Sequence, residues 1–396
     1  MAGGREMNFA LFGCIETPAT RWFAEGLQRV LEEHGHVRTV APAAATSATA
    51  APSAVGGNGR INEQEEGGAG EPEIRLALNF TSAERPEPYR RRSQATFVVS
   101  MVEVGETPAD ILKAAYPLLV KSLSNLFIYM VSEGGKARET YFVTLERGHF
   151  PVPVSPQAEK EYFDYIYRRL HPLATSHLII KNEFRTDLPP ELWEGDATTE
   201  EIKWASRQLE ALDLLPAPFP IQEILSEKDF RHVQHLYGIG GLSYGNLSAR
   251  HGPYSYWMSA SGVNKATLST IGRDILLVTG YDPERQAMIL SVPPHVEPRR
   301  VSVDAIEHWM IYTTHPQVGA IVHVHAWMEG VPSTEVNYPC GTYELATAVA
   351  ELVNRAPDPG RTVVGLRNHG LTITGPSLRE IFARIEGKIL RQVPMS

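Results

Sequence analysis

The chain has 396 residues, 43% hydrophobic and 21% charged, which exceeds one ordinary domain and suffices for sizeable cores. Its formal net charge of −9 excludes a non-specific nucleic-acid binder, which requires a basic face. The two cysteines, Cys14 and Cys340, stand in opposite halves, excluding a disulfide framework and a cysteine-based zinc cluster.

The opening text MAGGREMNFALFGCIE carries an acid early and has no signal-peptide core. No apolar run approaches the roughly 18–20 residues of a membrane helix, so the expectation is a soluble, cytoplasmic protein. Met7–Cys14 reads as a buried strand, followed by an amphipathic helix through Trp22, Phe23, Leu27, Val30 and Leu31. Residues 41–72 are Ala/Thr/Ser/Gly-rich and acidic and cannot bury enough apolar surface to order themselves, so they read as a disordered insertion. Strands are predicted at Ile74–Phe80, Ala95–Val104, Asn125–Val131 and Tyr141–Leu145, with a helix over Pro108–Ser122 and a last strand at His177–Lys181. The alternation predicts an α/β domain with an open sheet over residues 1–215, closing in a Pro- and acid-rich passage with a helix at Thr199–Leu212.

A second domain is expected over residues 216–396. Helix Ser226–Tyr237 leads into GIGGLSYGNLSAR; GIGG follows a helix and lacks the third glycine of a dinucleotide fingerprint, so no nucleotide cofactor is expected. Strands follow at Ser255–Ser259, Ile275–Thr279 and Ala287–Leu290, then helix Ser302–Thr314, strand Val318–His325 and helix Gly341–Asn354. Strands near Thr362–Leu366 and Leu371–Thr374 precede a final helix from Pro376.

The chemistry concentrates in this half. In AIVHVHAW, His323 and His325 are two apart on a β-branched run, so both imidazoles face one side, suited to two ligands on one cation. Alone, such a pair more often reads as one buried and one surface histidine; His34 and His36, ending a helix, are read that way and carry no function. In LRNHGLTITG, His369 sits in a polar turn before Gly370 and offers a third ligand, which would leave a position open as catalytic zinc requires. On helix Ser302–Thr314, Asp304 and His308 share a face away from Val303, Ile306 and Met310. The plain alternative for Asp304 is an acid placed to favour the helix dipole.

GNLSAR, SASGVNKATL, HPQVGAIVHVHAW and RNHGLTITG, in this order, resemble the class II aldolase/adducin family, over roughly residues 222–392. Residues 1–215 share nothing with it. The resemblance implies an α/β/α domain around a mainly antiparallel sheet, in a homo-oligomer, usually a tetramer, with Zn2+ or another divalent metal on His323, His325 and His369. It places the family's acidic residue at Asp304, where aldolases carry Glu and the epimerase carries Asp. Gly245, Asn246, Ser259, Ser261, Gly262 and Ser302 match its phosphate-binding positions, with Val303 where a second serine is usual; Arg299 or Arg300 is the substitute anion clamp. The loop bearing the aldolases' proton-donating tyrosine is shortened, which leaves Tyr338 as the substitute, against a plain packing role. The implied activity is an aldehyde-lyase that cleaves a C–C bond of a small hydroxy-carbonyl or sugar-phosphate substrate through a metal-stabilised enediolate. An epimerase or dehydratase, or a non-catalytic adducin-like module, are the alternatives.

Overall fold

The computed structural model describes residues 6–39, 73–90, 96–145, 147–214, 219–231 and 245–396. The expected insertion at 41–72, the GIGG segment and the second half of the helix expected at Ser226–Tyr237 lie outside the described residues. The chain divides into two units, Met1–Thr175 with Ile224–Asp229, and Ser176–Glu223 with Phe230–Ser396.

The first unit contains strands β1 (Asn8–Gly13), β2 (Val37–Arg38), β3 (Ile74–Thr81), β4 (Phe97–Val104), β5 (Leu126–Glu133), β6 (Lys136–Thr144) and β7 (Gly148–Pro151). They form one sheet in the order β2-β1-β3-β4-β5-β6-β7, parallel through β5 and antiparallel thereafter. The near-continuous apolar text of β3, β4 and β5 is what a parallel strand covered on both faces requires. Helices α1 (Pro18–Glu33), α2 (Ile111–Lys121) and α3 (Glu159–Thr175) accompany it, α1 starting at a Thr17/Thr20 capping box. His36 is buried: its Nδ1 lies 3.3 Å from the Met7 amide and its Nε2 3.1 Å from the Tyr167 hydroxyl. Burial lowers it to about 4, so it is a neutral packing group.

The second unit is built on an eight-stranded sheet. Its strands are β8 (Lys181–Arg185), β9 (Gly245–Gly252), β10 (Ser255–Ser259), β11 (Ile275–Asp282), β12 (Ala287–Ser291), β13 (Ala320–Val324), β14 (Val363–Leu366) and β15 (Gly370–Gly375). The order is β14-β15-β13-β9-β10-β11-β12-β8, antiparallel throughout except where β8 joins β12. Among the described residues, the longer helices flanking it are α4 (Ala197–Ala211), α5 (Ala305–Thr314), α6 (Tyr343–Arg355) and α7 (Leu378–Ile385). Adjacent residues of β10 show that they cover both faces. The Tyr256 hydroxyl donates to the Ala305 carbonyl at the start of α5, and the Trp257 indole donates to Asp196, which caps α4. Successive strand residues point oppositely, so α5, packed on α6, and α4, packed on α7, lie on opposite sides. This is the α/β/α layering that the resemblance implied.

Two expectations change. The boundary falls after Thr175 rather than near residue 215, and the strand expected at His177–Lys181 is Lys181–Arg185, paired with β12 of the second sheet. The passage read as a linker carries α4, whose Ile202, Ala205 and Leu209 are buried in the same core as the β-strands. The helix expected at Thr199–Leu212 is present as Ala197–Ala211; what changes is that it belongs to this core. The GNLSAR text, read as part of a glycine-rich segment, is β9, the neighbour of β13. Among the described residues no helix is long and apolar enough to cross a membrane.

Arg250, near the end of β9, locks the turn between α5 and β13. Its guanidinium donates to the carbonyls of Val318 (2.8 Å), Tyr312 (2.9 Å) and His315 (2.9 Å), and lies 4.7 Å from the centre of the Tyr312 ring. A lysine keeps the charge but not the fork. Arg250→Lys is expected to destabilise the protein by about 2–3 kcal/mol in urea unfolding, since charge-assisted bonds are lost; an unchanged midpoint would refute this role of the guanidinium.

Candidate metal centre

Strand β13 is paired on both sides, and that register positions the site. His323 lies opposite Asn246 on β9 and opposite Thr372 on β15. Ile321, His323 and His325 share a face by alternation, and His325 follows the last residue of the strand. His369 occupies the tight turn between β14 and β15, where Asn368 has φ +57° and exchanges two hydrogen bonds with the Ser396 backbone, at 2.8 and 2.9 Å. Gly370 closes that turn against β13: a Cβ there would stand 2.1 Å from the Val324 carbonyl oxygen, so only glycine fits.

The three histidines converge. Their ring centres are 5.0 Å (His323–His325), 4.9 Å (His323–His369) and 4.7 Å (His325–His369) apart, and their donor nitrogens lie within 4.8 Å of one another. All three are buried. The Nε2 atoms of His325 and His369 approach to 3.1 Å. Two nitrogens sharing a tetrahedral cation at about 2.0–2.1 Å stand about 3.3–3.4 Å apart, so the donor set fits a divalent ion with three imidazole ligands.

Asp304 stands at the N-cap of α5 and is 3% exposed, yet its side chain makes no capping hydrogen bond. No capping hydrogen bond accounts for the acid here, although its place at the helix N-terminus suits the dipole. Its Oδ2 accepts from the Asn246 amide at 2.7 Å and lies 3.9 Å from His323 Nε2; its Oδ1 accepts from the Cys340 thiol at 3.3 Å. Cys340 Sγ is also 3.5 Å from His369 Nε2. Its text, YPCGTYE, carries no metal-ligand spacing, so nothing in the sequence singled out this cysteine.

Below Asp304, α5 docks on the sheet through further buried polar groups that the sequence did not single out as a network. Thr372 donates to Glu307 Oε1 at 2.5 Å, and His308 Nδ1 is 2.8 Å from the Ser248 hydroxyl, itself 2.9 Å from Tyr312 Oη. Burial holds His308 neutral, lowering it to about 3. Burial first, and the neighbouring Asp304 charge second, push the Glu307 carboxyl well above the ordinary carboxylate range.

The positions matched to phosphate binding sort unequally. Asn246 is buried and committed to Asp304; Ser259 is fully buried, its hydroxyl 3.4 Å from the Leu247 amide. Gly245 has φ +119° and its Cβ position would stand 2.5 Å from the His323 carbonyl oxygen, so it permits close approach of β9 to β13. Ser302 is buried, with its amide 3.3 Å from the Ser259 carbonyl. Ser261 and Gly262 are exposed in the turn after β10, where the Ser261 amide donates to the Arg300 carbonyl; the Arg299 and Arg300 side chains are exposed. Tyr338 packs on the core, and burial, then Glu344 and Glu351 on α6, raise its hydroxyl. Cys340, two residues on, is the group from this segment that meets the imidazoles.

Residues 230–333 match the family model described as the class II aldolase and adducin N-terminal domain, which bears out the resemblance over that span. Comparison with curated proteins finds no match. Among solved structures, the chain is similar to YgbL of Klebsiella pneumoniae, a putative aldolase/epimerase/decarboxylase, at 19% identity over 48% of this chain and 83% of that one, with a TM-score of 0.31. An L-fuculose 1-phosphate aldolase is similar at 20% identity, over 48% of this chain and 81% of that one, with a TM-score of 0.34. The corresponding aldolase of Glaciozyma antarctica PI12 is 17% identical over 50% of this chain and 72% of that one, with a TM-score of 0.28.

The raised Glu307 carboxyl has a stability consequence of fixed sign. Folded, it keeps its proton at a pH where the unfolded chain has released it, so stability present in acid is lost as pH rises from the carboxylate range through neutrality. His308 acts oppositely: its lowered value costs stability as pH falls below the ordinary histidine range toward about 3. Glu307→Gln should flatten the limb of a metal-free unfolding profile between the ordinary carboxylate range and about pH 8 by on the order of 1–2 kcal/mol. Parallel profiles for the two proteins would contradict the shift.

Proposed function

We propose that this protein is a metal-dependent lyase that cleaves a C–C bond in a small hydroxy-carbonyl substrate, on a cation held by His323, His325 and His369. The observation that carries this reading is the convergence of three buried imidazoles with Asp304 held beside His323 by Asn246. The match of residues 230–333 to the class II aldolase and adducin domain supports the reaction class. When bound, the divalent ion, taken to be zinc, supplies Lewis-acid chemistry to the substrate's oxygens.

This chain's residues do the rest. Asp304, buried and oriented by the Asn246 amide, is the group that takes up or returns a proton at Oδ2. The exposed Ser261–Gly262 turn and Arg300 receive the substrate's anionic end, phosphate or carboxylate. Assembly as a homo-oligomer in the cytoplasm belongs to the same proposal. Epimerisation or dehydration is the second reading. It is favoured by Asp304, which stands where the resembled family's aldolases carry Glu and its epimerase Asp, and by the shortened loop after His325.

The test uses full-length protein loaded with zinc, cobalt or manganese and offered ketose phosphates and hydroxy-keto acids. Stoichiometric metal and release of an aldehyde are expected; an isomeric sugar or loss of water selects the second reading. His323→Ala should remove turnover by at least about a hundredfold, and Asp304→Asn by about 10²–10⁴-fold. Protein that retains no divalent metal, or turnover untouched by His323→Ala, defeats the proposal.

A further inference from the structure

Beside the β14–β15 turn lies a recess of about 250 Å³, with Trp327, Glu335, Arg367, Asn368 and Ser396 in its walls. We infer that it is a binding site for a small organic carboxylate, distinct from the Ser261–Gly262 turn, and that the Arg367 guanidinium holds the anion. The inference stands apart from the three-histidine reading. Backbone pairing builds the walls. The Trp327 amide donates to the Leu390 carbonyl and the Leu390 amide to the Trp327 carbonyl, both at 2.8 Å. On the other side Gly365 of β14 donates to the Pro332 carbonyl at 2.7 Å and accepts from the Thr334 amide at 2.9 Å. Gly365 also seats the indole: a Cβ there would stand 2.3 Å from Trp327 Cη2, so only glycine lets the ring lie against the strand.

Arg367 is the cation in this wall. It is half-buried, and its amide donates to the Thr334 hydroxyl at 3.0 Å. Its Nε donates to the Ser396 hydroxyl at 3.1 Å and its Nη1 to the Glu335 carbonyl. Both acceptors are neutral, and among the described residues the guanidinium has no carboxylate partner. A guanidinium carries five N–H groups in a planar fork that matches a two-oxygen anion, so donors remain for a ligand. The volume equals on the order of eight waters, which suits an acid of about three to six carbons. Trp327 gives the carbon stem an apolar wall. Glu335 adds negative charge to the recess, which favours a monocarboxylate over a doubly charged phosphate.

Calorimetric titration of metal-free full-length protein with D-glycerate tests this, with glycerol and inorganic phosphate as comparison probes. Glycerate should bind once per chain with a Kd on the order of 1 mM, and the other two at least about tenfold more weakly. Arg367→Gln should weaken glycerate at least about tenfold. Ser396 is exposed and 3.1 Å from Arg367 Nε, so Ser396→Asp puts an internal carboxylate on the guanidinium and should weaken glycerate as much. That variant keeps the test decisive where Arg367→Gln fails to fold. His323→Ala should leave glycerate binding unchanged, which separates this recess from the metal centre. The inference is overturned by no saturable glycerate binding, by phosphate binding more tightly than glycerate, or by glycerate binding that survives either recess variant. Loss of glycerate binding in His323→Ala overturns it as well, by moving the anion to the histidines.

Discussion

The site depends on strand β13 being held between two antiparallel partners. Pairing on both sides fixes its register, and a slip of one residue would turn His323 to the opposite face. The same register sets Asn246 and Thr372 on either side of His323, where they meet Asp304 and Glu307 of α5. Two glycines make the close packing possible: Gly245 where β9 meets β13, and Gly370 where the His369 turn folds over Val324. The imidazoles converge because the backbone around them has no freedom to do otherwise.

Helix α5 is fastened to this sheet by polar contacts as much as by apolar ones. Asp304, Glu307 and His308 are each at most 3% exposed and reach two strands, β9 through Asn246 and Ser248 and β15 through Thr372. Buried polar groups are costly unless paired, so the network specifies one helix position rather than merely adding stability. Arg250 fixes the other end of α5 through three carbonyls. Asp304 is thereby located relative to His323 from both ends of the helix.

Parity made the histidine pair legible in sequence, and context separated it from its counterfeit. His34 and His36 have the same spacing, but they flank a helix end, where His36 packs on Tyr167 and His171. His323 lies on a fully buried strand and His325 directly follows it, and a third histidine stands on the neighbouring turn. What stayed hidden depended on long-range pairing. GNLSAR lies in glycine-rich text to which the sequence assigns no strand, and its two strand neighbours make it β9. The Pro- and acid-rich passage 187–220 reads as a link carrying one helix, and only long-range pairing shows that β8 and α4 complete the second sheet and its cover. Cys340 is 36 residues from Asp304 and 29 from His369, so no local spacing announces it.

Charge balance gives an independent reason for a cation at this place. Asp304 is buried, and its partners among the described residues are an amide, a thiol and an imidazole, none of them a fixed positive charge. A lone buried carboxylate is strongly disfavoured, and the usual escapes are protonation, an arginine partner or a metal. Glu307, deeper and packed on Thr372, takes the first escape, with its carboxyl pushed up by burial and by Asp304 itself. Asp304 faces the three imidazoles, whose nitrogen lone pairs can hold a divalent ion but cannot neutralise an anion while uncharged. The two acids one helical turn apart thus stand in different surroundings, Glu307 packed on Thr372 in the core and Asp304 facing the imidazoles, where a cation on the proposed three-histidine site would be its counter-charge.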